Sequence, residues 1–444
     1  MFFKYLQYTG IISLLIFAPV VSTADSLPAV VARTVTTNPD VLADAQERRA
    51  RDEELVQARS GYGPTIELSG GLGLESSDNP VSRARDDEND ILTRRDGRIV
   101  LRQMVFDGFA TESEVARQAE RVNSIAYTLM SSAEQIALRT AEVYLDVLRR
   151  KELLDLARQN LAAHEKTRDQ IEMRSKSGLG RRADLDQVIA RFAQAMANVI
   201  AEESNVADAR TNYLRVTGEL PEEMFYPNTQ SLHLPDTMEE AVQAALAAHP
   251  TLKSAEADVQ AANAQHKASR SEFYPRFDIE AGQGWGRNVN GTRGSNDDTN
   301  IMLRAQYRLF SMGKDRARWR QTAYLASEAK EIRNETRRQV IESVRLSWSQ
   351  YQSGTEQLGY LQQHIESAEA TLKAYRKQFS IGKRSLLDVL DSENELFEAG
   401  RAHTNTKYDR LFAHYRIQAG MGRLLASLKI APPEGAKALT VGRK

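Results

Sequence analysis

The stretch RFDIEAGQGW, residues 276–285, alternates Phe277, Ile279 and Ala281 with Asp278, Glu280 and Gly282. IMLRAQYRLF, residues 301–310, repeats the pattern, setting Ile301, Leu303, Ala305, Tyr307 and Leu309 against Arg304, Gln306 and Arg308. A period of two marks a strand with one apolar and one polar face. The two stretches predict a hairpin over 276–310. Upstream, Thr65–Leu74 and the noisier Arg98–Phe106 predict another over 65–106. Both hairpin ends read as long hydrophilic loops, Glu75–Asp96 and Arg287–Asn300. The acidic run Asp86-Asp87-Glu88-Asn89-Asp90 reads as a solvated loop, since its spacing fits no calcium-loop motif.

The hairpins belong to a tandem duplication. Pro39 and Pro64 precede the first as Pro250 and Pro275 precede the second, both pairs 211 residues apart. Leu101-Arg102 with Phe106 answers Leu303-Arg304 with Phe310, Gly178 with Asp184 answers Gly382 with Asp388, and Tyr213 with Gly218 answers Tyr415 with Gly420. Landmarks in one order at nearly constant separation define two units of about 200 residues, far above solenoid periods. Ahead of each hairpin, Ala29–Arg59 and Thr237–Ser271 are charged, rich in Ala and free of Gly, predicting helices of about 30 residues.

Behind each hairpin the apolar period becomes seven. Val115, Val122, Leu129, Ile136 and Val143 form one series, and Ala119, Ala126, Ala133, Thr140, Val147, Leu154 and Leu161 a second. In the second unit Val344, Tyr351, Leu358, Ile365, Leu372 and Phe379 interleave with Val340, Leu361, Ala368 and Tyr375. Heptads favour left-handed packing of neighbouring helices. Thr111–Lys176 alone would run roughly 100 Å at the helical rise. No compact domain holds such an element.

Composition narrows the function. The 444 residues carry 59 basic and 60 acidic side chains, so nucleic acid is not an expected partner. With no cysteine, disulfides, thiol catalysis and an N-terminal lipidated cysteine are excluded. Lys4, the apolar run Ile11–Val21 and small Ser22 and Ala24 predict a secretory signal over residues 1–24. No later segment has the roughly 20 apolar residues of a membrane helix. If the chain is held in a membrane, a closed β-barrel must hold it. Four strands cannot close an open pore, so several chains would have to contribute. There is no phosphate loop ending in Gly-Lys-Ser/Thr and no HExxH among the seven histidines; no enzyme, cofactor or metal site is expected.

Helix, hairpin, long helix, Gly-containing turn and shorter helix, given twice, resemble the TolC family of outer-membrane efflux proteins over nearly all of the chain after residue 24. Gly178-Leu179-Gly180 leading to Asp184, and Ser380-Ile381-Gly382-Lys383-Arg384 leading to Asp388 and Asp391, look like the two turns at the periplasmic tip of that family's tunnel. The resemblance implies an α+β fold, mainly α, that trimerises into a 12-strand membrane β-barrel continuous with a long periplasmic α-helical barrel. The organisation it suggests is a first repeat over 25–225 with tip turn 177–184, an equatorial connector over 226–240, a second repeat over 241–424 with tip turn 380–388, and a C-terminal tail over 425–444.

The implied function is an exit duct in the outer membrane, a homotrimer surrounded by lipid, docked to a periplasmic adaptor and driven by an inner-membrane transporter. Gly178, Leu179, Gly180, Ile381 and Gly382 would contact the adaptor. Asp388 and Asp391 would form an acidic pore constriction, and Arg384 would link to Asp184 to hold the gate closed. Phe379 departs from the family, which often has there a tyrosine whose hydroxyl adds a link. Arg181–Gln187 and Tyr213–Pro221 look closer to type I protein secretion components than to multidrug efflux ducts, the alternative within the family. A periplasmic coiled-coil adaptor or scaffold is the more distant one.

Overall fold

The computed structural model describes residues 26–85, 90–178, 180–228 and 232–439. The expected signal segment 1–24, residues 86–89 of the acidic run and Leu179 lie outside them. The first unit contains α1 (Leu27–Thr37), α2 (Pro39–Ser60), β1 (Thr65–Ser76), the short α3 (Pro80–Arg83), β2 (Ile91–Phe106), α4 (Ala110–Lys176) and α5 (Arg182–Thr217). The second contains α6 (Met238–Ala248), α7 (Pro250–Ala268), β3 (Arg276–Val289), β4 (Thr292–Gln306), α8 (Lys314–Ser380) and α9 (Leu386–Gly420), followed by α10 (Leu424–Ser427). Both long helices, α4 and α8, have 67 residues, so the duplication preserves length as well as order.

The helix expected before each hairpin is broken in two, at Pro39 and Pro250. A proline interrupts the i→i−4 ladder and is welcome only in a first turn, so each opens a new helix. Asn38 turns extended and caps α2 by accepting from Asp40 N at 3.0 Å.

The strands pair antiparallel in the order β1-β2-β3-β4, so β2 and β3 join the two units in one sheet. They also run through the polar stretches read above as loops. Ser76 still faces Ile91, and Val289 faces Thr292 across a two-residue turn made by Asn290 and Gly291. Both turn residues have positive φ, 53° and 72°, as a turn that continues the strand twist requires. Backbone pairing ignores side-chain polarity, and here it carries the ladder past the apolar band. At the other end β4 stops at Gln306 instead of continuing to 310. Its partner β3 begins at Arg276, and beyond Pro275 there is no strand to pair with.

The register gathers most large apolar side chains on one face. Ile66, Leu68, Leu72, Ile99, Leu101, Ile279, Trp285, Ile301 and Leu303 share one face; Arg98, Arg102, Glu280, Asp298 and Arg304 share the other. On the charged face Glu280 accepts from Arg304 at 2.5 Å. Below the sheet α2, α4, α7 and α8 lie side by side in that order, and farther down α4 packs on α5 and α8 on α9. The main core wraps the middle of α4: Ala137, Ala141, Tyr144 and Val147 meet Val30 and Val31 of α1, Tyr213 of α5, Tyr415 of α9, Leu232, and Leu424 and Leu425 of α10.

Candidate channel mouth and docking tip

The two helix pairs end in short turns at the pole opposite the sheet. α8 closes with Lys383 N donating to Gln378 O and Gly382 N to Phe379 O, a Schellman arrangement that requires the positive φ of Gly382, 76°. Gly178 has the matching φ of 73° at the end of α4. Gly180 does not; there a Cβ would press on Ser175 N at 3.0 Å, so close backbone approach is its constraint. Ile381, just before Gly382, stands 65% exposed. Behind the turns an apolar plug takes Ile171 from α4, Leu185 and Val188 from α5, Phe379 from α8, and Leu386 and Leu390 from α9. Phe379 thus serves packing, with the Arg174 guanidinium 5.2 Å from its ring centre.

The start of α9 carries the predicted acids. Ser385 caps it, accepting from Asp388 N at 3.2 Å, while the Asp388 carboxylate accepts in return from Ser385 N at 3.2 Å and from the Ser385 hydroxyl at 2.7 Å. That hydroxyl, with help from Ser385 N and Arg384, holds the Asp388 carboxyl below its ordinary value. Asp388 is therefore a cap, and it keeps its charge in mild acid. One turn on, Asp391 accepts from Arg191 of α5 at 2.9 Å.

The expected link from Arg384 to Asp184 is not formed within this chain. The Arg384 guanidinium lies 3.8 Å from the Tyr375 ring centre and 3.8 Å from Asp388. The ion pair that does join the two helix pairs at this level is Arg191 with Asp391. Arg191 did not stand out in the sequence, and Tyr375 reads there only as a heptad position.

A second cluster escaped it too. Two turns above the plug, His164 of α4 and Glu393 of α9 are both buried, with Nδ1 3.2 Å from Oε2. Glu393 Oε1 also accepts from Arg376 of α8 at 2.8 Å and from Thr167 at 3.3 Å. Burial lowers the His164 pKa, partly opposed by Glu393 and reinforced by Arg191 and Arg376. The signal was present, because 164 follows 154, 157 and 161, and 393 follows 386 and 390, all at core spacing. A polar side chain on an apolar heptad stripe needs a partner from a facing helix.

Among the described residues no helix is long and apolar enough to cross a membrane, and no acidic or histidine cluster could hold a metal. The family model for "Outer membrane efflux protein" matches residues 31–219 and 241–423, one span for each unit. The chain belongs to the outer membrane efflux protein family. Its relatives include the outer membrane efflux protein BepC of Brucella suis, 26% identical across 85% of this chain and 81% of that one. The alkaline protease secretion protein AprF of Pseudomonas aeruginosa is 25% identical across 87% and 82%. The fold is also that of the crystal structure of the Campylobacter jejuni CmeC outer membrane channel, with TM-score 0.79 at 13% identity over 94% of this chain and 90% of that one. As an outer membrane efflux protein the chain is a non-enzymatic conduit of the outer membrane, and the reading as a periplasmic scaffold falls away.

Proposed function

We propose that three copies of this chain form the exit duct of a type I protein secretion system. The observation that carries the trimer is the unfinished sheet. Four strands with one apolar face leave the edges of β1 and β4 open, and twelve strands are enough to enclose a water-filled lumen. Along α8, Tyr324, Ile332, Leu346 and Tyr360 are large, apolar and exposed, which suits a neighbouring copy. In this reading the segments 226–240 and 425–439 belong to the thickened equator around the middle of α4.

The tip turns would receive a periplasmic adaptor through Gly178, Leu179, Gly180, Ile381 and Gly382, and an inner-membrane transporter would supply the energy. Asp388 and Asp391 from each copy would ring the pore mouth. Within one copy each already has a basic neighbour, Asp388 with Arg384 at 3.8 Å and Asp391 with Arg191 at 2.9 Å. A link from Arg384 to Asp184 would then run between neighbouring copies. The choice of protein cargo rests on the stretches 181–187 and 213–221 and is in keeping with the likeness to the alkaline protease secretion protein AprF; the likeness to the outer membrane efflux protein BepC favours efflux instead. Deletion of the gene decides between them. The secretion reading expects loss of one large exported protein with unchanged drug tolerance, and drug sensitivity with normal secretion would replace it by the efflux reading.

A further inference from the structure

All four strand-to-helix junctions lie at one end of the sheet, where α2 enters β1, β2 leaves to α4, α7 leads to β3 and β4 leaves to α8. Cations gather at this rim. Arg59 ends α2, Arg270 follows α7, and Lys314, Arg316, Arg318 and Arg320 open α8; all six are exposed. None of them takes part in an ion pair among the described residues, whereas most arginines along α4 do. The carboxylates beside them are mostly committed elsewhere. Asp107 accepts from Ala110 N and Thr111 N at the start of α4, and Glu272 and Asp315 both take Arg308, at 2.7 and 3.4 Å. Glu112 is the exception.

Helix stability accounts for Arg59 and Arg270, which sit at helix C-termini, but not for the cations that open α8. The first turn of a helix favours acids, and Lys314 and Arg316 oppose the dipole of a 67-residue helix. Above them the chain presents Leu309, Phe310 and Met312, exposed at 87, 77 and 86%. Lys314 and Arg318 share one side of α8, with Arg316 and Arg320 on another. Apolar side chains above unpaired cations match the section of a phospholipid leaflet, acyl chain above phosphate.

We propose that this basic rim binds the phosphate headgroups of anionic phospholipids in the periplasmic leaflet, with Leu309, Phe310 and Met312 seated among the acyl chains. The inference goes beyond the conduit reading and needs only the outer-membrane location, so it survives a change of cargo. The test uses the full chain purified as its detergent-solubilised assembly. It is offered equal amounts of phosphatidylglycerol and of phosphatidylcholine with the same acyl chains, and retained lipids are counted by native mass spectrometry. Phosphatidylglycerol is expected to dominate. Its advantage should fall about fivefold for each cation removed, in Lys314→Gln with Arg318→Gln and separately in Arg59→Gln with Arg270→Gln. Equal retention of the two lipids by the wild type, or an unchanged preference in both double variants, would overturn the proposal. So would dissociation of the assembly with lipid preference kept, because the cations would then be holding a neighbouring copy.

Discussion

Glu134 is a carboxylate buried in the middle of α4, accepting from Leu424 N at 2.9 Å and Leu425 N at 3.3 Å and so fastening the C-terminal segment. Burial outweighs those two donors and raises its pKa to about 7. A group raised in the folded state contributes most below its unfolded value of about 4.5, and the contribution drains away as pH climbs to about 7. The swing is on the order of 3 kcal/mol at most. Thermal unfolding should therefore show a melting temperature that declines from pH 5 to pH 8, with a flatter profile for Glu134→Gln. Identical profiles for the two proteins would remove Glu134 from the account. Gly422 makes the second prediction at this scale. Its φ is 65°, and a Cβ there would meet Pro250 Cδ at 2.7 Å, so Gly422→Ala should cost about 2 kcal/mol or more, read as a lower melting temperature. The internal repeat pairs Gly218 with Gly420, yet it is Gly422 that shares the left-handed conformation of Gly218. Repeat spacing aligns helices, and helix ends slip by a residue or two within it. The same limit explains the tip. The glycines of the turns and the capping role open to Asp388 were legible, because local chemistry fixes them. The pairings with Arg191, Tyr375 and His164 were not, because those partners come from other helices.

Strands and helices were legible to different depths. The expected span Thr111–Lys176 matches α4 almost to the residue, and the seven-residue period runs through its length from Val115 to Leu161. The helices ahead of the hairpins were drawn through Pro39 and Pro250 because their composition is uniform, although a proline inside a helical pattern is itself a boundary. Polarity misplaced the strand ends for a physical reason. In a barrel the ladder continues above the bilayer, and only its lipid-facing band must be apolar. That band makes a prediction for the element. Leu303 lies on the apolar face of β4 opposite Ile279, 67% exposed in the single chain. Leu303→Arg should cost roughly 2–4 kcal/mol if it faces mid-bilayer. Heat-modifiable oligomers on gels and the yield in the membrane fraction measure the loss. Wild-type yield and mobility would mean that this face of β4 does not meet lipid.

At the scale of the molecule, the single chain is visibly a part. Its sheet has apolar and charged faces that are both open to solvent, and its longest helices carry large exposed apolar side chains. Such faces are costly in water and are removed by lipid on one side and by further copies along the edges. In the proposed trimeric duct, selectivity would come from the charges at its narrowest point. If Asp388 and Asp391 of three copies ring the mouth as proposed, six carboxylates around one axis should favour cations. Reversal potential across a potassium chloride gradient, with the purified protein in a planar bilayer, tests this most directly. The expected result is small stepwise conductance with a cation-selective reversal potential that moves toward zero in Asp388→Asn with Asp391→Asn. A protein that inserts but gives no steps, or a reversal potential unchanged in the double variant, would contradict it.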